Sequence, residues 1–284
     1  MKILVFLNIY SNLYDDSHVE IASAKGLTME WLHTLSGLGV GLLVGLTGVG
    51  GGALMTPLLI VLFGIAPSTA VGTDLLFASI TKTAGIWMHA RRGTVAWDIA
   101  GLLAAGSLPA AFLAILALER FGPAGHQFET LIKATMGLAL MLTALALLFK
   151  ERLQRLGAQR GAALPERRLA LATVATGVVL GLMVTLTSIG AGALGAAALF
   201  FLYPRLPTAR IVGTDLAHAV PLAAVAGLGH LHLGTVNLQL LASLLMGSLP
   251  GIYLGSHLGA HISERILRRV LALMLAVVGG KLVW

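Results

Sequence analysis

The chain has 284 residues, of which 57% are hydrophobic and 11% charged, with a net charge of +7. A soluble domain carries about 25% charged residues, so this chain lacks the charge to cover itself in water and suits a bilayer, which accepts apolar surface directly. The positive balance does not indicate nucleic acid, because Lys and Arg fall in short loops between apolar runs, and the absence of cysteine excludes disulfides, thiolate catalysis and Cys-ligated metals.

In chain order, residues 1–28 read as a loose or interfacial segment. Residues 1–10 are apolar but short, with Lys2 their sole charge and no small-residue cleavage site, so a signal peptide is disfavoured. A first transmembrane repeat follows over 29–149, with apolar stretches at 29–47, 52–64, 68–89, 95–119 and 128–149. A basic linker, expected to be cytoplasmic, occupies 150–167. A second repeat over 168–284 has stretches at 168–188, 191–203, 208–231, 236–258 and 264–284. A full span needs about 20 residues. The third to fifth stretches of each unit qualify; the second is too short in both.

The two units are copies. GLLVGLTGVGGGAL at 41–54 recurs as GLMVTLTSIGAGAL at 181–194, an offset of 140. Gly72-Thr73-Asp74 recurs as Gly213-Thr214-Asp215 at an offset of 141. His89 then meets His230, Gly93-Thr94-Val95 meets Gly234-Thr235-Val236, and Gly106-Ser107-Leu108-Pro109 meets Gly247-Ser248-Leu249-Pro250. One inserted residue explains the shift. The expected fold is an all-α polytopic helical bundle of two homologous repeats with glycine-broken helices and about 8–10 membrane segments.

Charge placement orients the repeats. With the linker in the cytoplasm, inverted halves place 13 Lys and Arg inside and five outside, against 11 and seven for parallel halves. The expectation is therefore an inverted repeat.

Short, glycine-interrupted segments at matching places in two halves point to a transporter's binding site. In the first half, Thr47, Gly48, Gly50, Gly51 and Gly52 break the helix and expose backbone N–H groups, next to a helix N-terminus that favours anions. In the second, Thr187, Ser188, Gly190 and Gly192 do the same. The competing reading is close helix packing through small residues. Lys82 lies mid-segment, where an uncompensated charge costs several kcal/mol; it is expected to pair with a carboxylate or with the substrate, and Ala223 stands at its place in the second half. Thr73 and Thr214 join the candidate anion site. Asp74, Asp215 and His218 are candidates for proton coupling, with helix capping the alternative for the aspartates. His89, His230 and His232 sit at segment ends and do not read as metal ligands. No H-E-x-x-H or G-x-S-x-G motif supports an enzyme, and Gly255-Ser256-His257 reads as a turn. No cofactor is expected.

The glycine pattern of Gly41 to Gly52, Pro57 after it, Gly72-Thr73-Asp74, Gly93 and the weaker second copy together resemble the TauE/SafE family of membrane permeases, the sulfite exporter family. The resemblance covers the chain from about residue 30. It implies a multi-pass carrier of the bacterial inner membrane that moves small sulfur-containing or organic anions such as sulfite, sulfoacetate or thiosulfate. The expectation is export by alternating access, coupled to a proton or another cation, with no nucleic-acid partner and with a homodimer allowed. An uptake permease or a channel is the alternative, and an intramembrane enzyme is the least favoured. In the second copy Ser188 and Ala191 replace glycines and Gly195 replaces Met55, which leaves the substrate open.

Overall fold

The computed structural model describes residues 16–47, 52–121, 126–160, 165–259 and 264–283. Among these residues there are eleven helices and no strand. The first half holds α1 (Asp16–Thr47), α2 (Gly52–Phe63), α3 (Pro67–Arg91), α4 (Trp97–Phe121) and α5 (His126–Leu148). The second half repeats the order as α7 (Glu166–Thr187), α8 (Ala193–Leu202), α9 (Thr208–His232), α10 (Leu238–Gly259) and α11 (Glu264–Val283). Between them lies α6 (Lys150–Arg160), so the basic linker contains a helix of its own. Likewise α1 begins inside the stretch that precedes the first repeat.

Four helical stretches among the described residues are long and apolar enough to cross a membrane: Trp97–Arg120, Glu166–Thr187, Thr208–His232 and Leu238–Gly255. Ile132–Leu148, taken with Lys150–Gly157 across a 68° bend, makes a fifth. Large apolar side chains such as Phe112, Leu113, Leu138, Leu171, Leu228, Met246 and Val277 point outward. In water such a surface would aggregate; in lipid it is the solvated surface.

The local sequence explains the boundaries. Pro67 opens α3 and Pro207 caps α9, where a missing N–H costs nothing. Both helices end at a glycine in the left-handed region, Gly93 at φ 64° and Gly234 at φ 73°. The turns beyond them match bond for bond. Thr94 N–H donates to the His89 carbonyl and Thr235 N–H to the His230 carbonyl, both at 3.0 Å.

The halves interlock. The most extensive packing runs between α1 and α10 and between α4 and α7, so the first helix of each half lies on the fourth helix of the other. Gly37 and Gly41 of α1 meet the backbone of Leu244 and Ser248, while Gly247 and Gly251 of α10 meet Thr34 and Leu38. The matching seam sets Gly177 and Gly181 against Leu103 and Ser107, and Gly106 against Val174. A Cβ at any of these positions would strike a backbone carbonyl, so small residues here permit helix contact.

Two hydrogen bonds repeat the exchange. Thr73 Oγ1 accepts the Asn237 N–H at 3.1 Å, and Thr214 Oγ1 accepts the Ala96 N–H at 2.9 Å. Thr73 and Thr214 are repeat partners, as are Ala96 and Asn237. Such reciprocity, in which each patch meets its counterpart's counterpart, marks a pseudo-two-fold relation.

Candidate functional site

The second-half break spans 188–192, between α7 and α8. Ser188 ends α7 in the left-handed conformation at φ 58°, and its N–H donates to the Val184 carbonyl. Gly190 and Gly192 follow at φ 123° and φ 125°. A non-glycine residue in the left-handed region costs about 1 kcal/mol, and the first half has Gly48 at this place. The serine is nevertheless used, and its side chain has a partner in the other half: Ser188 Oγ donates to Asp74 Oδ2 at 3.0 Å.

Asp74 lies fully buried on α3. Its Oδ2 also accepts from Thr56 Oγ1 of α2, at 2.5 Å. One carboxylate thus joins α2, α3 and the break of the opposite half. Thr56 was not among the residues singled out from the sequence. The available clue was its place one turn into the helix that follows the glycine run.

Lys82, two turns further along α3, is buried as well. Its Nζ donates to the Ala191 carbonyl inside the break at 3.0 Å rather than to a carboxylate. Its charge still acts on Asp74, Asp215 and His218.

Asp215 on α9 is buried against the first turn of α8. A Cβ on Gly195 would overlap its Oδ1. The first half carries Met55 at that place, fully buried. The change from methionine to glycine in the second copy therefore makes room for a carboxyl group. His218, three residues on, sets its Nε2 at 2.8 Å from Ser107 Oγ of α4. Ser107 was likewise overlooked as a site residue, although it stands in the duplicated Gly-Ser-Leu-Pro block.

The remaining candidates fall into two groups. Thr73, Thr214 and Thr187 spend their hydroxyls on backbone. Thr214 Oγ1 also donates to the Arg210 carbonyl at 2.7 Å. Thr187 Oγ1 donates to the Met183 carbonyl at 2.7 Å and accepts the Ile189 N–H at 3.1 Å. In the first half, Thr47 closes α1 and Gly52 opens α2, while Gly48, Gly50 and Gly51 lie outside the described residues. His230 is buried, with Nδ1 at 2.8 Å from Thr235 Oγ1 and Nε2 at 2.9 Å from the Thr185 carbonyl. His89 repeats the first of these contacts with Thr94 Oγ1 at 2.8 Å. These histidines fasten the two interhelical turns. Gly72 packs against His230 and Gly213 against His89, again across the halves.

Apolar residues of both halves wall the centre, among them Met55, Leu75 and Phe77 from the first and Val184, Ile189 and Leu222 from the second. The result is a buried centre holding one ammonium, two carboxyl groups, an imidazole and a broken helix. In such surroundings charges act strongly on one another and on any ion admitted.

The family described as "Sulfite exporter TauE/SafE" matches residues 33–282. A relative from Bacillus subtilis, "Probable membrane transporter protein YjnA", is 48% identical over 76% of this chain and 85% of its own length. "Probable membrane transporter protein YdhB" of the same organism is 28% identical over 74% of this chain and 82% of its length. A Xylella fastidiosa "Probable membrane transporter protein" is 27% identical over 74% of this chain and 77% of its length. No solved structure matches. With its apolar helices and this match over most of its length, the chain is a multi-pass membrane transporter and belongs to the sulfite exporter TauE/SafE family.

Proposed function

We propose that the chain is a secondary transporter that exports small sulfur-containing or organic anions, such as sulfite, sulfoacetate or thiosulfate, across a bacterial inner membrane. The two halves, inverted with respect to each other, rock around a fixed central site and expose it alternately to either side. A proton is the coupling ion.

The observation that carries the reading is Lys82 on the Ala191 carbonyl. A buried ammonium is costly unless it is paired or has work to do. Here it is held by a neutral backbone oxygen at a helix break, which leaves its charge available to an arriving anion. Glycines at φ values closed to other residues keep backbone close to that point. Substrate sulfur oxyanions are compact, multiply accepting groups that suit an ammonium and backbone or hydroxyl donors together. The inversion is supported by the Lys and Arg distribution and agrees with the reciprocal packing.

The test is anion counterflow in proteoliposomes holding the purified protein. Vesicles loaded with unlabelled sulfite, sulfate, thiosulfate or sulfoacetate are diluted into labelled anion of the same kind. A carrier accumulates label transiently for its own substrate, and Lys82→Ala removes that overshoot. A flux without an overshoot describes a channel, and no flux for any of the four rejects the substrate class.

A further inference from the structure

Asp74 and Asp215 hold the same place in the repeat but not the same surroundings. Asp74 Oδ2 is fastened by two hydroxyls, from Thr56 and Ser188. The repeat partners of those residues are Ala196 and Gly48, so Asp215 is offered neither hydroxyl. Oδ1 of each aspartate is buried without a hydrogen-bond partner, so it is in the hydroxyls at Oδ2 that the two differ. One turn beyond Asp215 on the same face, His218 Nδ1 is also buried without a partner, while Nε2 is engaged by Ser107. Phe77 fills the place of His218 in the first half. The second half thus lacks the fixing hydroxyls and has an imidazole one helical turn from its carboxyl group. It also gave up a methionine at Gly195 to admit that group.

We infer that Asp215 and His218 form the proton-binding site of the transporter, and that Asp74 is a fixed acceptor that stays out of the coupling. This rests on the transport reading above and assigns its coupling site. Asp215 Oδ1 and His218 Nδ1, one turn apart, are both buried without partners, which is costly, and a proton is the ligand that fits the pair. Asp74 Oδ1 lacks a partner too, but its Oδ2 is already held by two hydroxyls and no imidazole stands one turn on. An alkali or alkaline-earth cation asks for six or so oxygens; this site offers a carboxyl oxygen and an imidazole nitrogen close to an ammonium. The charged group acting on both Asp215 and His218 among the described residues is Lys82 of α3, on which Asp74 acts as well. Packed against it, α4 brings Ser107 and α8 brings Gly195, neither charged.

Loading a proton on Asp215 removes a negative charge from beside Lys82. The ammonium is then less compensated, and an anion binds more tightly. By reciprocity the bound anion strengthens proton binding. Anion and proton therefore travel together, so an outward anion gradient carries protons out and an imposed acid gradient drives the anion the other way.

Two measurements on the full chain test this. In infrared difference spectra between neutral and acidic pH, the purified protein gains a protonated-carboxyl C=O band. That band is lost in Asp215→Asn, kept in Asp74→Asn, and moved to a different pH in His218→Gln. The assignment is overturned if Asp74→Asn loses the band while Asp215→Asn keeps it, or if no such band forms. In proteoliposomes, acid outside accelerates uptake of labelled sulfite relative to counterflow. Asp215→Asn loses that acceleration even if its counterflow slows. Counterflow with no response to pH, or a response to a sodium gradient instead, overturns the coupling site and leaves the anion carrier standing. Absent counterflow overturns the carrier reading itself. Both asparagine variants are first required to elute as the native protein does on size exclusion.

Discussion

Ser188 of the second half donates a 3.0 Å hydrogen bond to Asp74 of the first, and does so from a backbone conformation that glycine adopts more readily. The bond crosses the pseudo-symmetric boundary beside the helix break. It ties the shape of the break to the position of α3, and hence to Lys82.

Removing that tie should loosen the core. Ser188→Ala leaves Asp74 with one hydroxyl fewer, and Thr56→Val takes the other. Losing a partner of a buried carboxyl group costs about 1–3 kcal/mol. Each variant is expected to melt below the native protein in detergent, and the double variant lower still. Ser188→Gly relieves backbone strain while losing the same bond, so it should fall between native protein and Ser188→Ala.

The helix seams predict a sharp positional contrast on α1. At Gly37 and Gly41 an added Cβ would strike the backbone of α10, whereas at Gly39 nothing lies within 4 Å. Gly39→Ala should leave the protein monodisperse and gain about 1 kcal/mol of helix propensity. Gly37→Ala and Gly41→Ala must push two helices apart and should lower the melting temperature markedly. Equal melting of all three would show that the seam is looser than the packing implies.

Lys82 separates binding from stability. Ala223 occupies its place in the second half, so the fold accommodates alanine there. Lys82→Ala also spares the cost of a buried charge and should melt no lower than the native protein. A ligand of the native state raises the melting temperature by mass action. Sulfite, sulfate, thiosulfate and sulfoacetate can be screened in this way; the anion that shifts the native protein should fail to shift Lys82→Ala. A retained shift would place the anion elsewhere.

Gly195 and Asp215 should behave as a coupled pair. Gly195→Ala drives a methyl group into Oδ1 of Asp215 and should destabilise the protein. Combined with Asp215→Ala, the same substitution fills space instead of colliding. The double variant is expected to be more stable than the sum of the two single effects, the signature of contact in a double-mutant cycle. Additive effects would mean that the carboxyl group has already moved away.

The helical class and the break at 188–192 were legible because each rests on local pattern: apolar runs and glycine spacing. The resemblance to the sulfite exporter family rested on the same motifs and is upheld over residues 33–282. What pattern alone did not give is which half a helix packs against. The repeat makes α1 equivalent to α7, yet nothing in a one-dimensional pattern says that α1 lies on α10. Partners at long range were hidden for the same reason. Lys82 was expected to pair with a carboxylate or with the substrate, and its bond to the Ala191 carbonyl of the other half had no local signal. Thr73 and Thr214 were named as candidate site hydroxyls, and pattern gave no sign that each also accepts an N–H at the start of a helix in the other half. The difference between Asp74 and Asp215 was written in the departures of the second copy, at Ser188, Ala196 and Gly195. Their meaning needed three dimensions.

The exchanged packing of α1 and α4 has a consequence for how the chain is made. A nascent chain emerges from its N-terminus, so α1 is inserted long before α10 exists. Until then the backbone that meets Gly37 and Gly41 is missing. The seam at α1 is therefore incomplete until α10 has been made. During that interval α10 of a neighbouring chain fits the seam as well as its own does. Crowded synthesis should therefore yield entwined dimers, because a helix made late completes one made early.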